Sequence, residues 1–140
     1  MKPSVFIDSN VWFSAFYKSG SCSTILQEVN SMGWRVFISE LVLEEVIKNI
    51  QLKIPKALSF FIKYLKENKI TVCKNPPDRL LIEYRYLAKF EDLPIIISAI
   101  KTKCDYFITG NIKDFDLNLI KKISRIKILN PSNFLKQLHS

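Results

Sequence analysis

The sequence predicts an α/β protein built on a mostly parallel sheet with helices on both faces. Three observations predict it. Short apolar β-type runs recur at residues 4–7, 35–38, 70–73, 106–109 and 125–129. Each interval between them is long enough for the crossover helix that parallel strands require. Several of those intervals carry apolar residues at helical spacing.

Taken in order, Ser4-Val5-Phe6-Ile7 is the first strand, ended by Asp8-Ser9-Asn10. Asn10 is the expected N-cap of a helix over 11–17. A loop over 18–21 leads to a helix over 23–32, with Ile25, Leu26 and Val29 on one face and Gly33 ending it. After the second strand, Ser39 is a good N-cap, and Glu40 suits the first turn of a helix reaching about Leu52. Pro55 fits the first turn of the next helix. There Leu58, Phe61, Ile62 and Leu65 recur at i, i+3, i+4 and i+7, while Lys56, Ser59, Lys63 and Lys66 form the opposite stripe.

The third strand runs into a break at Asn75-Pro76-Pro77-Asp78. A helix over 79–90 is expected to turn Leu80, Leu81, Tyr84, Leu87 and Ala88 inward. Asp92 and Pro94 begin a further helix to Lys103, apolar on most sides and therefore buried. The fourth strand leads into the polar turn Gly110-Asn111. The fifth precedes a last helix opened by Pro131 and carrying Phe134, Leu135 and Leu138. No repeat or linker interrupts this series, so residues 1–140 are expected to form one domain.

Composition agrees. Hydrophobic residues make up 48% of the chain, enough for a core, and only 3 Gly and 6 Pro are present, which argues against disorder. The longest apolar stretch, 93–100, is too short to cross a membrane. The N-terminus lacks the apolar region of a signal peptide. A cytoplasmic protein is expected. With one His and three scattered cysteines, Cys22, Cys73 and Cys104, a Cys/His zinc site is excluded and buried free thiols are expected.

The formal net charge is +8, which favours a polyanionic partner. Ten basic residues stand against Glu67, Asp78 and Glu83 between Lys48 and Lys89, while acids gather at Glu40, Glu44 and Glu45 and again at Glu91, Asp92, Asp105, Asp114 and Asp116. A basic middle beside acidic islands suits a phosphate-binding rim around a metal-binding centre. Lys48, Lys56, Lys63 and Lys66 are the candidate contacts to the phosphate backbone of such a partner.

In open parallel sheets ligands bind beyond the carboxyl ends of the strands. Asp8 and Gly110-Asn111 follow strands directly and are the places to seek chemistry. Asp8 either closes a turn or caps a helix, or else points a carboxylate into the crevice. Of the neighbours Glu44 and Glu45, the register of Leu41, Val42 and Val46 favours Glu45 on the inner side. Asp92 serves as an N-cap, a site residue, or both. Asp105 precedes its strand, at the wrong edge, and reads as structural. Oxygen-rich clusters without Cys or His suit Mg²⁺ or Mn²⁺, ions that activate water and neutralise phosphate charge. No glycine-rich phosphate loop follows any strand, which counts against a nucleotide binder.

The order Phe6-Ile7-Asp8-Ser9-Asn10, Ile38-Ser39-x5-Glu45-Val46, Asp92-x2-Ile95-x3-Ala99 and Phe107-Ile108-Thr109-Gly110-Asn111 resembles the PIN-domain family. It is similar to the toxin components of prokaryotic toxin–antitoxin pairs. The resemblance implies a three-layer α/β/α fold with a five-stranded parallel sheet in order 3-2-1-4-5. It implies Mg²⁺- or Mn²⁺-dependent RNA cleavage, with Asp8, Glu45 and Asp92 as acidic ligands and Asn10 and Thr109 supporting them. It also implies a homodimer and an antitoxin partner. Where the family often has a fourth acid, this chain has Asn111, and Asp114 or Asp116 is the candidate to supply the charge. The alternative is a catalytically degenerate PIN domain that binds RNA or protein without cutting.

Overall fold

The computed structural model describes residues 2–140. The chain runs β1 (Ser4–Ile7), α1 (Ser9–Tyr17), α2 (Ser21–Ser31), β2 (Arg35–Ser39), α3 (Glu40–Lys53), α4 (Leu58–Glu67), β3 (Thr71–Cys73), α5 (Asp78–Glu83), α6 (Leu93–Lys101), β4 (Tyr106–Ile108), α7 (Leu117–Ile123), β5 (Lys127–Leu129) and α8 (Pro131–Leu138). Short 3-10 turns at Pro55–Ala57, Phe90–Asp92 and Ile112–Asp114 join some of these. The five strands form one sheet in order β3-β2-β1-β4-β5, and every pairing is parallel. This is the expected α/β architecture.

Sheet order reverses direction at β1. The chain moves outward through β2 and β3, then returns to lay β4 and β5 on the other side. The switch point therefore lies between β1 and β4, in register Val5 to Tyr106, Phe6 to Phe107 and Ile7 to Ile108. Val5, Phe6 and Ile7 are wholly buried, as befits a central strand covered on both faces. Phe6 packs on Phe107 and Phe107 on Phe115. On one face Trp12 and Phe16 of α1 meet Phe61 and Tyr64 of α4 edge-on. The Tyr64 hydroxyl donates to the Leu26 carbonyl at 3.0 Å. Burial pushes its pKa up to about 12, so it remains a neutral donor. α6 buries Leu93, Ile95, Ile96, Ile97, Ser98 and Ala99, with the Ser98 hydroxyl donating back to the Pro94 carbonyl.

The amino ends of β1 and β4 are tied together. The Ser4 amide and hydroxyl donate to Asp105 Oδ2 at 2.8 and 3.1 Å. The Asp105 amide donates to the Ser4 hydroxyl and carbonyl at 3.0 and 3.1 Å. Asp105 is structural, as its position before the strand implied.

The fold departs from expectation in four places. Asn10 does not cap α1. Asp8 does, its carboxylate accepting the Ser9 amide, so the helix starts two residues earlier than read. The helix expected over 79–90 ends at Glu83. Residues beyond it are drawn into an antiparallel bridge between Ala88 and Phe115, flanked by hydrogen bonds from the Asp116 amide to Leu87 and the Lys89 amide to Asp114. The short helix α7 was not anticipated. Of the three thiols only Cys104 is buried, while Cys22 and Cys73 are half-buried. No helix among the described residues is long and apolar enough to cross a membrane.

Candidate active site

Asp8 occupies the carboxyl end of β1, beside the switch point. Its amide still donates across the sheet to the Ile108 carbonyl at 2.9 Å. Its own carbonyl accepts the Val11 and Trp12 amides at 3.1 and 3.2 Å, opening α1. Strand and helix thus fix its backbone from both sides. The carboxylate is fixed as well: Oδ1 accepts the Ser9 amide at 2.7 Å and Oδ2 accepts the Thr109 hydroxyl at 2.8 Å. Only 4% of the residue is exposed. Burial raises its pKa, the bonds from Thr109 and Ser9 pull it back, and the charge of Asp114 adds to the rise.

Thr109 is wholly buried and holds the facing loop in place. Its hydroxyl donates to Asp8 and accepts the Asn111 amide at 3.1 Å. Asn10 completes the join, its Oδ1 accepting the Gly110 amide at 3.0 Å. Glycine suits position 110 because a Cβ there would lie 3.2 Å from that same oxygen. Asn10 and Thr109 are therefore supports, clamping the β4 loop onto the start of α1.

Three further carboxylates face this junction. Glu45, on α3, is half-buried while Glu44 is exposed. Glu45 Oε1 is buried and has no hydrogen-bond partner. Burial raises the Glu45 pKa, Asp8 and Asp92 raise it further, and the Ser9 hydroxyl opposes them. Asp92 ends the 3-10 turn before α6 at the N-cap position, yet its side chain makes no capping bond. The capping alternative fails, leaving the carboxylate free. Burial and then the charges of Asp114, Asp8 and Glu91 raise its pKa, against the pull of Lys89.

Asp114 and Asp116 separate cleanly. Asp116 caps α7 through a bond from the Leu119 amide at 3.1 Å. Asp114 is the one whose charge reaches Asp8 and Asp92. It also carries the site's one ion pair among the described residues, to Lys89 Nζ at 3.0 Å. Asp114, with the Asp92 and Glu91 charges behind it, raises the Lys89 pKa. The Ala88–Phe115 bridge holds this lysine in place. Asn111 is exposed and precedes the turn that carries Asp114, with no capping bond from its side chain.

This donor set fits a hard divalent cation. It is all oxygen, mutually repulsive, and includes a buried oxygen without a partner. Among the described residues, however, no three acids stand close enough to enclose one ion. Asp8 is held by Thr109 and Ser9, whereas the Asp92 side chain makes no capping bond and Glu45 Oε1 has no partner.

A family model for the PIN domain matches residues 5–133. The chain belongs to the PIN-domain family. No curated protein matches it. Solved structures share the fold, two of them as follows. One is the crystal structure of VapBC2 from Rickettsia felis bound to a DNA fragment from their promoter, with 18% identity and a TM-score of 0.63, covering 91% of this chain and 98% of that one. The other is PAE2754 from Pyrobaculum aerophilum, with 14% identity and a TM-score of 0.60, covering 99% of this chain and 97% of that one.

Two residues of this PIN domain's site escaped sequence reasoning. Ser9 donates its amide to Asp8 and sets its hydroxyl near Glu45. Lys89 pairs with Asp114. The Asp8-Ser9 adjacency gave a signal for the first. The second depends on a tertiary bridge and had none. The candidate RNA-contacting lysines divide: Lys56, Lys63 and Lys66 line one open groove along α4 with Leu58 and Ile62, whereas Lys48 lies on α3 outside it. Lys63 is partly engaged by Glu67 at 3.8 Å.

Proposed function

We propose that this PIN domain is a divalent-cation-dependent endoribonuclease acting as the toxin of a toxin–antitoxin pair. The observation that carries the reading is the buried Asp8 carboxylate, fixed at the β1–β4 switch point and in electrostatic contact with Asp114 and Glu45. Asp8, Glu45 and Asp92 would hold Mg²⁺ or Mn²⁺, with Asp114 or the Asn111 amide as further donors. Bound there, such an ion supplies Lewis acidity toward water and the scissile phosphate.

The protein's own contribution is placement. Thr109 and Ser9 hold Asp8 in one rotamer and favour its charged form. Asn10 keeps the Gly110-Asn111 loop against α1. Lys89 offsets the excess negative charge that would repel an RNA backbone. Lys48, Lys56, Lys63 and Lys66 would contact phosphates and position RNA without specifying sequence. Ile82, Tyr86 and Phe90 are 64%, 67% and 76% exposed and offer apolar contacts to an antitoxin or a second copy of the chain.

The test is cleavage of a mixed RNA pool with Mn²⁺, Mg²⁺ or chelator, comparing wild type with Asp8→Asn and Asp92→Ala. Cleavage by wild type alone, and only with the cation, is expected. Full activity of Asp8→Asn would remove the mechanism. The second reading, a degenerate domain that binds without cutting, is favoured by Asn111 and by the Lys89–Asp114 pair. It gives RNA binding with no cation-stimulated cleavage.

A further inference from the structure

The opposite edge of the sheet carries a feature that the carboxylate site does not use. A cleft of about 770 Å³ opens at the amino ends of the strands, lined by Lys2, Pro3, Trp34, Arg35, Thr102, Lys103, Asp105, Tyr106, Arg125 and Lys127. Five of these ten residues are cations and one is an acid. The carboxylate of that acid, Asp105, already serves Ser4. Among the described residues none of the five cations is ion-paired, so their charge stays available.

The shape of the charge points to a chain of phosphates. Arg35 begins β2 and Lys127 begins β5, with β1 and β4 between them. Three strand spacings separate the two, roughly 14 Å. That width exceeds one phosphate group and asks for several in series. The floor adds aromatic surface. Trp34 and Tyr106 lie 5.6 Å apart, tilted by 37°. Phe134 braces both edge-on at 5.5 and 5.4 Å. Both rings are only half-buried. Cations flanking braced, accessible rings are the elements that hold single-stranded nucleic acid, with phosphates on the charges and bases on the π-faces. An acidic peptide would use the cations and leave the rings idle.

We propose that this cleft is a second binding site, for a single-stranded stretch of RNA. It rests on the ribonuclease reading for its choice of RNA. It lies across the sheet from the carboxylates, about 13 Å away along β1 at roughly 3.3 Å per residue. A substrate longer than a few nucleotides would be held at both edges.

The test uses the full chain carrying Asp8→Asn, so that binding is read without cutting. A labelled single-stranded RNA is titrated by anisotropy, and tryptophan fluorescence is followed in parallel. Trp12 is wholly buried, so a change on binding reports Trp34. Quenching by RNA is expected. Arg125→Glu with Lys127→Glu, both at exposed positions, should weaken binding at least tenfold and flatten the salt slope by about 1.4, the share of two phosphate contacts on a single strand. Unchanged affinity and slope in a variant with the wild-type melting profile would overturn the proposal. So would equal quenching by polyglutamate, which marks an unselective anion site. A wild-type chain that cuts no RNA with any cation, while Trp34 is still quenched, would sink the nuclease reading and leave the cleft standing.

Discussion

Replacing Glu45 with leucine separates a carboxylate kept for binding from one kept for architecture. Oε1 of Glu45 is buried without a partner, and an unsatisfied buried polar atom costs about 1–3 kcal/mol. Glu45 is only half-buried, so the lower part of that range applies, about 1–2 kcal/mol. Leucine has similar reach and no polar atom. In chelator at pH 7 the melting midpoint should therefore rise by about 3–6 °C, at roughly 3 °C per kcal/mol for a chain of this length. The pH dependence has a definite sign. Burial and the charges of Asp8 and Asp92 raise the folded pKa of Glu45 above its ordinary 4.5. A carboxyl that holds its proton more tightly when folded opposes folding above its folded pKa and ceases to do so below the unfolded one. The advantage of the variant is thus full near neutrality and fades as pH falls through the raised pKa toward 4.5. Added Mn²⁺ should stabilise wild type and leave Glu45→Leu largely unmoved. Thermal melts across pH, with and without cation, measure all three. A lower midpoint for Glu45→Leu in chelator at pH 7 would refute the reasoning, because Glu45 would then be making a structural bond.

Three further outcomes follow from the ion pair and the cap. Lys89→Met frees Asp114 from its 3.0 Å partner, so Mn²⁺ affinity by calorimetry should rise several-fold in an otherwise wild-type chain; a fall would mean that Lys89 organises the site. Asp116→Ala removes the cap on α7, costing about 1 kcal/mol, and should lower the melting midpoint while cleavage at lower temperature persists. Asp114→Ala should do the reverse, keeping the fold and weakening the cation-induced shift.

The alternation of apolar runs with helical intervals made the fold readable, because buried parallel strands leave continuous hydrophobic signatures such as Val5-Phe6-Ile7. The position of Asp8 was readable for the same reason: it is the first polar residue after the central strand. Its capping role was readable only as one alternative, since Asp8 and Asn10 are both good caps and only the Gly110 contact settles which one is otherwise engaged. Glu45 could be preferred to Glu44 because helical register separates their faces. The choice between Asp114 and Asp116 lay beyond local sequence. Two acids one residue apart in an irregular segment point by backbone turns that depend on the Ala88–Phe115 bridge. The same bridge cut short the helix expected to 90, overriding a favourable apolar pattern.

The Ser4–Asp105 tie acquires meaning beside the Asp8–Thr109 bond at the other end of the same two strands. A beam pinned at both ends cannot slide. Any shift of β1 along β4 would break both sets of bonds together, so the central pair should show the slowest amide exchange in the molecule. Should the proposed cation bind, the adjustment around it would fall to the Glu45 and Asp92 side chains, with the pinned strand pair as a fixed axle.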